Sequence, residues 1–275
     1  MLLIADLTCY SKIAVFKDRL FFTRPTFMKI RFSVIIPAFN EEKFLPRLLD
    51  SIEIARANYK SGEIEIIVAD NSSTDKTAEI AKANGVRVVQ IKKRRIASAR
   101  NGGAKAARGE VFCFIDADSA LHPQTFEKID RAMLDSRFNA GATGVYLERK
   151  SPGILLAYCF MMPFCWLANM DTGVVFCRRE DFKAVGGYNE DLFLAEDIAF
   201  LVALKKRGSQ NGQKFKRISG VKALGSTRKF DAHGDWHYFS LLSQVALIFY
   251  KLGLKIFTKQ DKMSELTDYW YKPQR

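Results

Sequence analysis

Apolar, β-branched runs alternate with longer helical patterns along most of this chain. Arg31–Ile36 is a strand pattern closed by Pro37, and Asn40 then reads as the cap of a helix with Glu41 and Glu42 in its first turn and Pro46 soon after. A second strand pattern, Ile64–Ala69, ends at Asp70, and Asn71-Ser72-Ser73-Thr74-Asp75 forms a turn and cap before a helix over Lys76–Ala83. Val86–Ile91 reads as a third strand, Ile96–Ala107 as a helix of small residues, and Val111–Ile115 as a buried strand. The second half is less regular. It predicts strands at Ala142–Leu147 and Thr172–Cys177, and helices at Pro152–Leu167, Arg178–Val185 and Leu194–Arg207. Gly186-Gly187-Tyr188 reads as a turn, and a long apolar-rich helix is expected over Trp236–Phe257. Strand–helix units in series predict an α/β fold with a parallel sheet and helices on both faces.

No internal repeat or low-complexity linker divides the chain, so residues 28–230 are read as one domain, with 1–27 as an N-terminal extension and 231–275 as a C-terminal helical segment. The first 27 residues lack the alternation seen later and the features of a secretory signal. Met28 opens the first convincing strand, so the preceding segment is expected to be dispensable. A hydrophobic content of 48% over 275 residues is ample for a core. The net charge of +13 suits anionic partners: nucleotide phosphates, an acidic lipid surface or nucleic acid. Nucleic acid is set aside, because neither zinc-finger spacing nor an RNA-binding strand motif is present. The five cysteines, Cys9, Cys113, Cys159, Cys165 and Cys177, include no Cys-x-x-Cys pair and mostly sit in apolar runs. That usage fits a reducing compartment.

Candidate chemistry gathers at strand ends. Asp116-Ala117-Asp118 follows the fourth strand, and alternation along an extended chain delivers both carboxylates to one side. Two hard oxygen ligands there can hold Mg²⁺ or Mn²⁺ against nucleotide phosphates. In parallel sheets ligands bind outside the carboxyl ends of the strands. Pro37–Asn40, Asp70 and Asp116–Asp118 all fall at such ends. Asp197 lies at the start of a helix, where the dipole favours an ionised carboxylate.

Taken together these residues resemble glycosyltransferase family 2. The matching stretches are Val34–Glu41, Ile67–Asp75, Ala99–Gly103 with Ala107–Gly109, Phe114–Asp118, and Gly173–Phe176 through Gly186-Gly187-Tyr188 to Glu196-Asp197, covering roughly residues 30–207. The resemblance implies a GT-A fold: a Rossmann-like mixed sheet, mostly parallel, flanked by helices, with a nucleotide half over about 28–120 and an acceptor half over about 121–230. It implies an inverting transferase that moves a sugar from a nucleotide-diphospho-sugar, UDP-linked by preference and GDP-linked as the other choice, to an acceptor hydroxyl. By the same resemblance Pro37, Ala38, Asn40 and Glu41 would flank the nucleotide and Asp70 would meet its base. Arg95, Arg100, Glu196 and Arg228 would help hold the donor. Asp116 would lie near ribose and metal, Asp118 would be the firmer metal ligand, and Asp197 would be the catalytic base. His233 is a further candidate ligand.

Two other readings compete. A haloacid-dehalogenase-like phosphohydrolase also uses Asp-x-Asp after a strand, but it normally has Thr or Val two places later, where this chain has Ala120. A nucleotide-binding module on a membrane surface, without activity, is the non-enzymatic reading. Ile154–Leu167 is too short to span a bilayer, which needs about 20 apolar residues. Phe239, Leu242, Val245, Phe249, Leu252 and Ile256 repeat at helical spacing, as in a core-packing helix or one that lies on an anionic membrane. The expected location is the cytoplasm, with peripheral contact at the inner face of the membrane if the acceptor is lipid-linked. A glycan or a small molecule would also serve as acceptor.

Overall fold

The computed structural model describes residues 29–167, 173–192 and 195–236, with the side chains at 160–167 and 229 left out of that description. The expected N-terminal extension and the apolar stripe beyond Trp236 therefore lie outside the described residues. Along the chain run β1 Ile30–Ala38, α1 Leu45–Asn58, β2 Glu63–Asp70, α2 Thr77–Ala83, β3 Arg87–Gln90, α3 Ile96–Ala106, β4 Val111–Phe114 and α4 Thr125–Leu134. There follow β5 Phe138–Leu147, α5 Pro152–Leu167, β6 Val175–Arg178, α6 Arg179–Ala184, α7 Glu196–Gln210, β7 Lys214–Gly225 and α8 Arg228–His233.

The sheet has seven strands in the order β3-β2-β1-β4-β6-β5-β7. Its pairings are parallel except those of β6, which runs antiparallel to β4 and β5. The expected mixed, mostly parallel α/β sheet is thus present. From β1 the chain winds outward one way through β2 and β3, and β4 returns to the other side of β1, so the strand order reverses between β1 and β4. Sheets of this kind bind ligands at such a reversal.

Alternation along the central strands feeds two cores. Val34 and Ile36 pack with Leu48, Ile52, Val68, Phe126 and Ile129 on one face. Ile35 faces the other way and joins Phe112, Phe114, Phe182, Tyr188, Phe200 and Leu204. Helix α3 approaches that second face closely: a Cβ on Gly103 would sit 2.6 Å from Ile35 Cγ2.

Three expectations need correction. Asn40 does not cap a helix; it adopts a left-handed φ of 55°, and α1 starts only at Leu45, with Pro46 in its first turn. A proline is preorganised for that first turn, where its missing N–H costs nothing. Glu41 and Glu42 consequently belong to the loop. Helix α4 was not anticipated, although Phe126, Ile129 and Met133 form its buried stripe. Strand β7 was also missed. Its lysines and arginines suit a sheet edge, and its register slips between Thr143 and Gly144, past Gly220 at φ 90°, which breaks the period-two signal. No helix among the described residues is long and apolar enough to cross a membrane. Cys113 and Cys177 are buried and unpaired, and Cys159 is exposed.

Candidate active site

The loop after β1 is strapped to the loop after β2. Backbone N–H groups of Asn40, Glu41 and Glu42 donate to Ser73 Oγ (3.0 Å), Thr77 Oγ1 (2.8 Å) and Asp75 Oδ2 (3.0 Å). Asn40 Oδ1 in turn accepts the Thr74 N–H at 2.8 Å. These bonds satisfy the donors of a turn that no helix satisfies. Pro37 and Ala38 lie buried at the strand's end, beneath this turn. Asp70, 2% exposed, accepts from the Ser73 N–H at 3.1 Å and from Gln90 Nε2 at 2.8 Å.

At the reversal point, Arg228 bridges two acids. Its Nη1 and Nη2 donate to the Glu41 carboxylate at 2.7 and 2.8 Å, and its Nε lies 3.1 Å from Asp118 Oδ2. Burial pushes the Glu41 carboxyl up to about 7, with Asp118 and Asp116 adding to the rise and Arg228 opposing it. Burial works against the Arg228 charge, but Asp118, Glu41 and Asp116 outweigh it and raise its pKa. Strand β7 explains how a residue so far along the chain arrives here. Leu224 and Ala120 exchange backbone hydrogen bonds of 2.9 Å in both directions, which ties the end of β7 to the loop after Asp118. Arg47 fixes the same loop by donating to the Asp118 carbonyl at 2.6 Å.

A second arginine organises the other side. Arg100, 6% exposed on α3, lies 2.9 Å from Asp116 Oδ1 and 3.1 Å from Glu196 Oε1. Its guanidinium sits 5.0 Å over the Tyr188 ring, a placement that favours a cation. Burial opposes the Arg100 charge, yet Asp116, Tyr188, Asp197 and Glu196 together hold its pKa above the ordinary value. Glu196 is raised by burial and then by Asp197, with Arg100 pulling the other way. Glu196 and Asp197 open α7 directly after Ala195, which is left-handed at φ 60°. Asp197 is half-buried.

Arg95 does not face this group by its described bonds; its Nη1 donates to the carbonyls of Glu190 (3.0 Å) and Asp191 (3.4 Å). It joins a latch in which Glu190 receives Ser98 Oγ, Asn101 Nδ2 and Lys93 Nζ at 2.7 to 3.0 Å. Asn101, Ser98 and Lys93 hold the Glu190 carboxyl down at about 2. Sequence reasoning assigned no role to Glu190, Tyr188, Arg47 or Gln90. The turn Gly186-Gly187, with φ of 78° and 75°, was the available signal for the first two.

The acids thus meet through Asp116, whose charge acts on Glu41 and Arg228 on one side and on Arg100 and Glu196 on the other. Among the described residues, no three His, Cys, Asp or Glu side chains converge as a metal set, so Asp116, Asp118 and His233, exposed at the end of α8, do not form one. Two carboxylates on one short loop still fit a divalent ion of the magnesium type, which is commonly bound by one or two carboxylates plus substrate phosphates.

Comparison with known proteins agrees with this arrangement. Residues 33–153 match the profile of Glycosyl transferase family 2. The glycosyltransferase GlyG of Streptococcus pneumoniae is 30% identical over 217 residues, covering 77% of this chain and 65% of that protein. The poly(ribitol-phosphate) beta-N-acetylglucosaminyltransferase TarS of Staphylococcus aureus is 32% identical over 104 residues, 36% of this chain and 18% of that protein. The chain therefore spans less than two thirds of these relatives' length. Among solved structures, S. aureus TarS 1-349 in complex with UDP-GlcNAc superposes with a TM-score of 0.57 at 21% identity, covering 72% of this chain and 59% of the other. Mycobacterium tuberculosis glucosyl-3-phosphoglycerate synthase in complex with Mn²⁺, UDP and glucosyl-3-phosphoglycerate gives 0.52 at 20% identity, over 78% and 79%. At those identities the likeness speaks to the fold. With the profile match and its relatives, it places the chain in glycosyltransferase family 2.

Proposed function

We propose that this chain transfers a glycosyl group, with inversion, from a nucleoside-diphosphate sugar to an acceptor hydroxyl. A UDP-sugar is the preferred donor. The observation that carries the reading is the meeting of Asp116, Asp118, Glu41, Glu196 and Asp197 with Arg100 and Arg228 at the strand reversal. The base lies against the wall that Asp70 organises, and the diphosphate comes to the Arg228 side. There the guanidinium, now shared between Glu41 and Asp118, exchanges carboxylate for phosphate, a partner of matching geometry. Asp118 and Asp116 are the residues to hold Mg²⁺ or Mn²⁺, an ion that neutralises charge on a leaving diphosphate.

Asp197 takes the proton from the acceptor hydroxyl as its oxygen bonds to the anomeric carbon and the bond to the diphosphate breaks. Positioned bases of this kind contribute about 10²–10⁴ in rate. Glu196, turned inward on Arg100, fixes the start of α7 and with it the neighbouring base. Exposed Ile198 and Val202 follow Asp197 on the same helix, which suits an acceptor with an apolar portion such as a lipid-linked hydroxyl. Peripheral contact with anionic lipid is the matching proposal for location, checked by sedimentation with anionic vesicles at low salt.

The test is turnover of a panel of nucleotide sugars, each with a set of lipid-linked and soluble acceptors. Asp197→Asn is expected to keep UDP affinity and lose transfer by at least about 10²-fold. Unchanged turnover in that variant removes Asp197 from the mechanism. Phosphate release from simple phosphomonoesters by the wild-type chain would favour the phosphohydrolase reading.

A further inference from the structure

Asp70 and Gln90 are register partners on the adjacent parallel strands β2 and β3, so their side chains leave the same face of the sheet at its carboxyl edge. The ends of the two strands are held together: Ile91 N–H donates to the Asp70 carbonyl at 2.8 Å, and Ser72 Oγ donates to the Ile91 carbonyl at 2.9 Å. Asp70 is buried and Gln90 exposed. The carboxylate is thus the inner group of the pair and the amide the outer one.

Chemistry fixes which way the amide points. An ionised carboxylate only accepts hydrogen bonds, so the NH₂ of Gln90 faces Asp70 Oδ2, at 2.8 Å, and Oε1 points elsewhere. Among the described residues no donor meets Oε1, and Asp70 is the amide's hydrogen-bond partner. Turning the amide over would set Oε1 against the carboxylate, acceptor against acceptor, and would strand a buried charge. The outer surface of this wall therefore offers a hydrogen-bond acceptor of fixed direction.

We infer that Gln90, oriented by Asp70, selects the base of the donor: it accepts from a ring N–H on the pairing edge, as in uracil N3–H or guanine N1–H, and rejects cytosine and adenine. In those two bases the corresponding ring nitrogen is itself an acceptor, and the pinned amide cannot reverse to meet it. Asp70 is then a positioning residue that acts on the base through Gln90. Such discrimination works by leaving a polar group unpaired with the wrong ligand. The inference rests on the glycosyl-transfer reading of the same cleft and adds to it the residue that sets donor choice.

Calorimetric titration of UDP and CDP in the presence of Mn²⁺, into the wild-type chain and Gln90→Leu, tests it. The wild type is expected to prefer UDP by about tenfold or more, and Gln90→Leu to weaken UDP by about tenfold while changing CDP little, so that the preference collapses. Thermal unfolding of the variant checks that the exposed substitution leaves the fold intact. If UDP binds and Gln90→Leu keeps the wild-type ratio, the inference fails and the transferase reading stands. Equal binding of UDP and CDP by the wild type also overturns it. If the wild type binds neither, both readings fall together.

Discussion

Replacing Arg100 by methionine probes the electrostatic centre of the site. The guanidinium lies 3.1 Å from Glu196, whose side chain is 10% exposed, and 2.9 Å from Asp116, whose side chain is 52% exposed. Removing one partner of a buried pair costs about 3–5 kcal/mol, because the other charge stays buried without compensation. The half-exposed Asp116 contact adds little, and loss of the Tyr188 face contact at 5.0 Å adds about 1 kcal/mol. Methionine recovers part of this by filling the space with apolar surface. A net loss of about 3–4 kcal/mol follows, equivalent to a fall in Tm on the order of 10 °C for a chain of this size. The deficit carries a pH signature. Glu196 is already raised by burial and by Asp197, and Arg100 is what pulls it down, so its value climbs further in the variant. A carboxyl with a raised folded value contributes fully at pH below its unfolded value and loses that contribution as pH rises through the folded one. The deficit of Arg100→Met is therefore smaller at pH 5, where Glu196 takes up a proton, than at pH 8. Urea unfolding followed by circular dichroism at both pH values measures it. A loss under about 1 kcal/mol, or one equal at the two pH values, refutes this account of Arg100.

Glu41→Gln is expected to flatten the pH dependence of stability. Burial holds the wild-type carboxyl up at about 7, so the wild type loses up to about 3 kcal/mol relative to the variant as pH rises from about 4.5 through 7; parallel Tm curves would argue against it. Gly109→Ala places a Cβ 2.6 Å from the Ser33 backbone nitrogen and 2.7 Å from the Phe32 carbonyl carbon. Neither atom is free to yield within β1, so a loss of about 2 kcal/mol or more in urea unfolding is expected, and a loss under about 0.5 kcal/mol would contradict the packing described.

The nucleotide half was legible because its signals are local. Each central strand is a run of apolar residues, and each ends at a polar cluster that the parallel topology gathers at one edge of the sheet. Asp70, Asp116 and Asp118 could be read in this way. The acceptor half was not, because its geometry depends on long-range pairing. β7 is a charged edge strand with an interrupted period, and only its bonds to Ala120 carry Arg228 back to Glu41 and Asp118. Arg228 was nameable by resemblance, but its two carboxylate partners were not. The helix start after Glu41 was misplaced for a related reason. The Asn40–Glu42 turn is satisfied by side chains of another loop, Ser73, Asp75 and Thr77, so a capping pattern in sequence served a tertiary contact instead.

The central claim is that strand ends far apart in sequence build one cleft for a nucleotide diphosphate. A crystal structure of the chain soaked with UDP and Mn²⁺ tests it most directly. The account predicts uracil against Asp70 and Gln90, with the diphosphate between Arg228 and the loop carrying Asp116 and Asp118. Nucleotide bound away from the β1–β4 reversal, or against it with Arg228 and Asp118 still paired and the phosphates pointing outward, would contradict it.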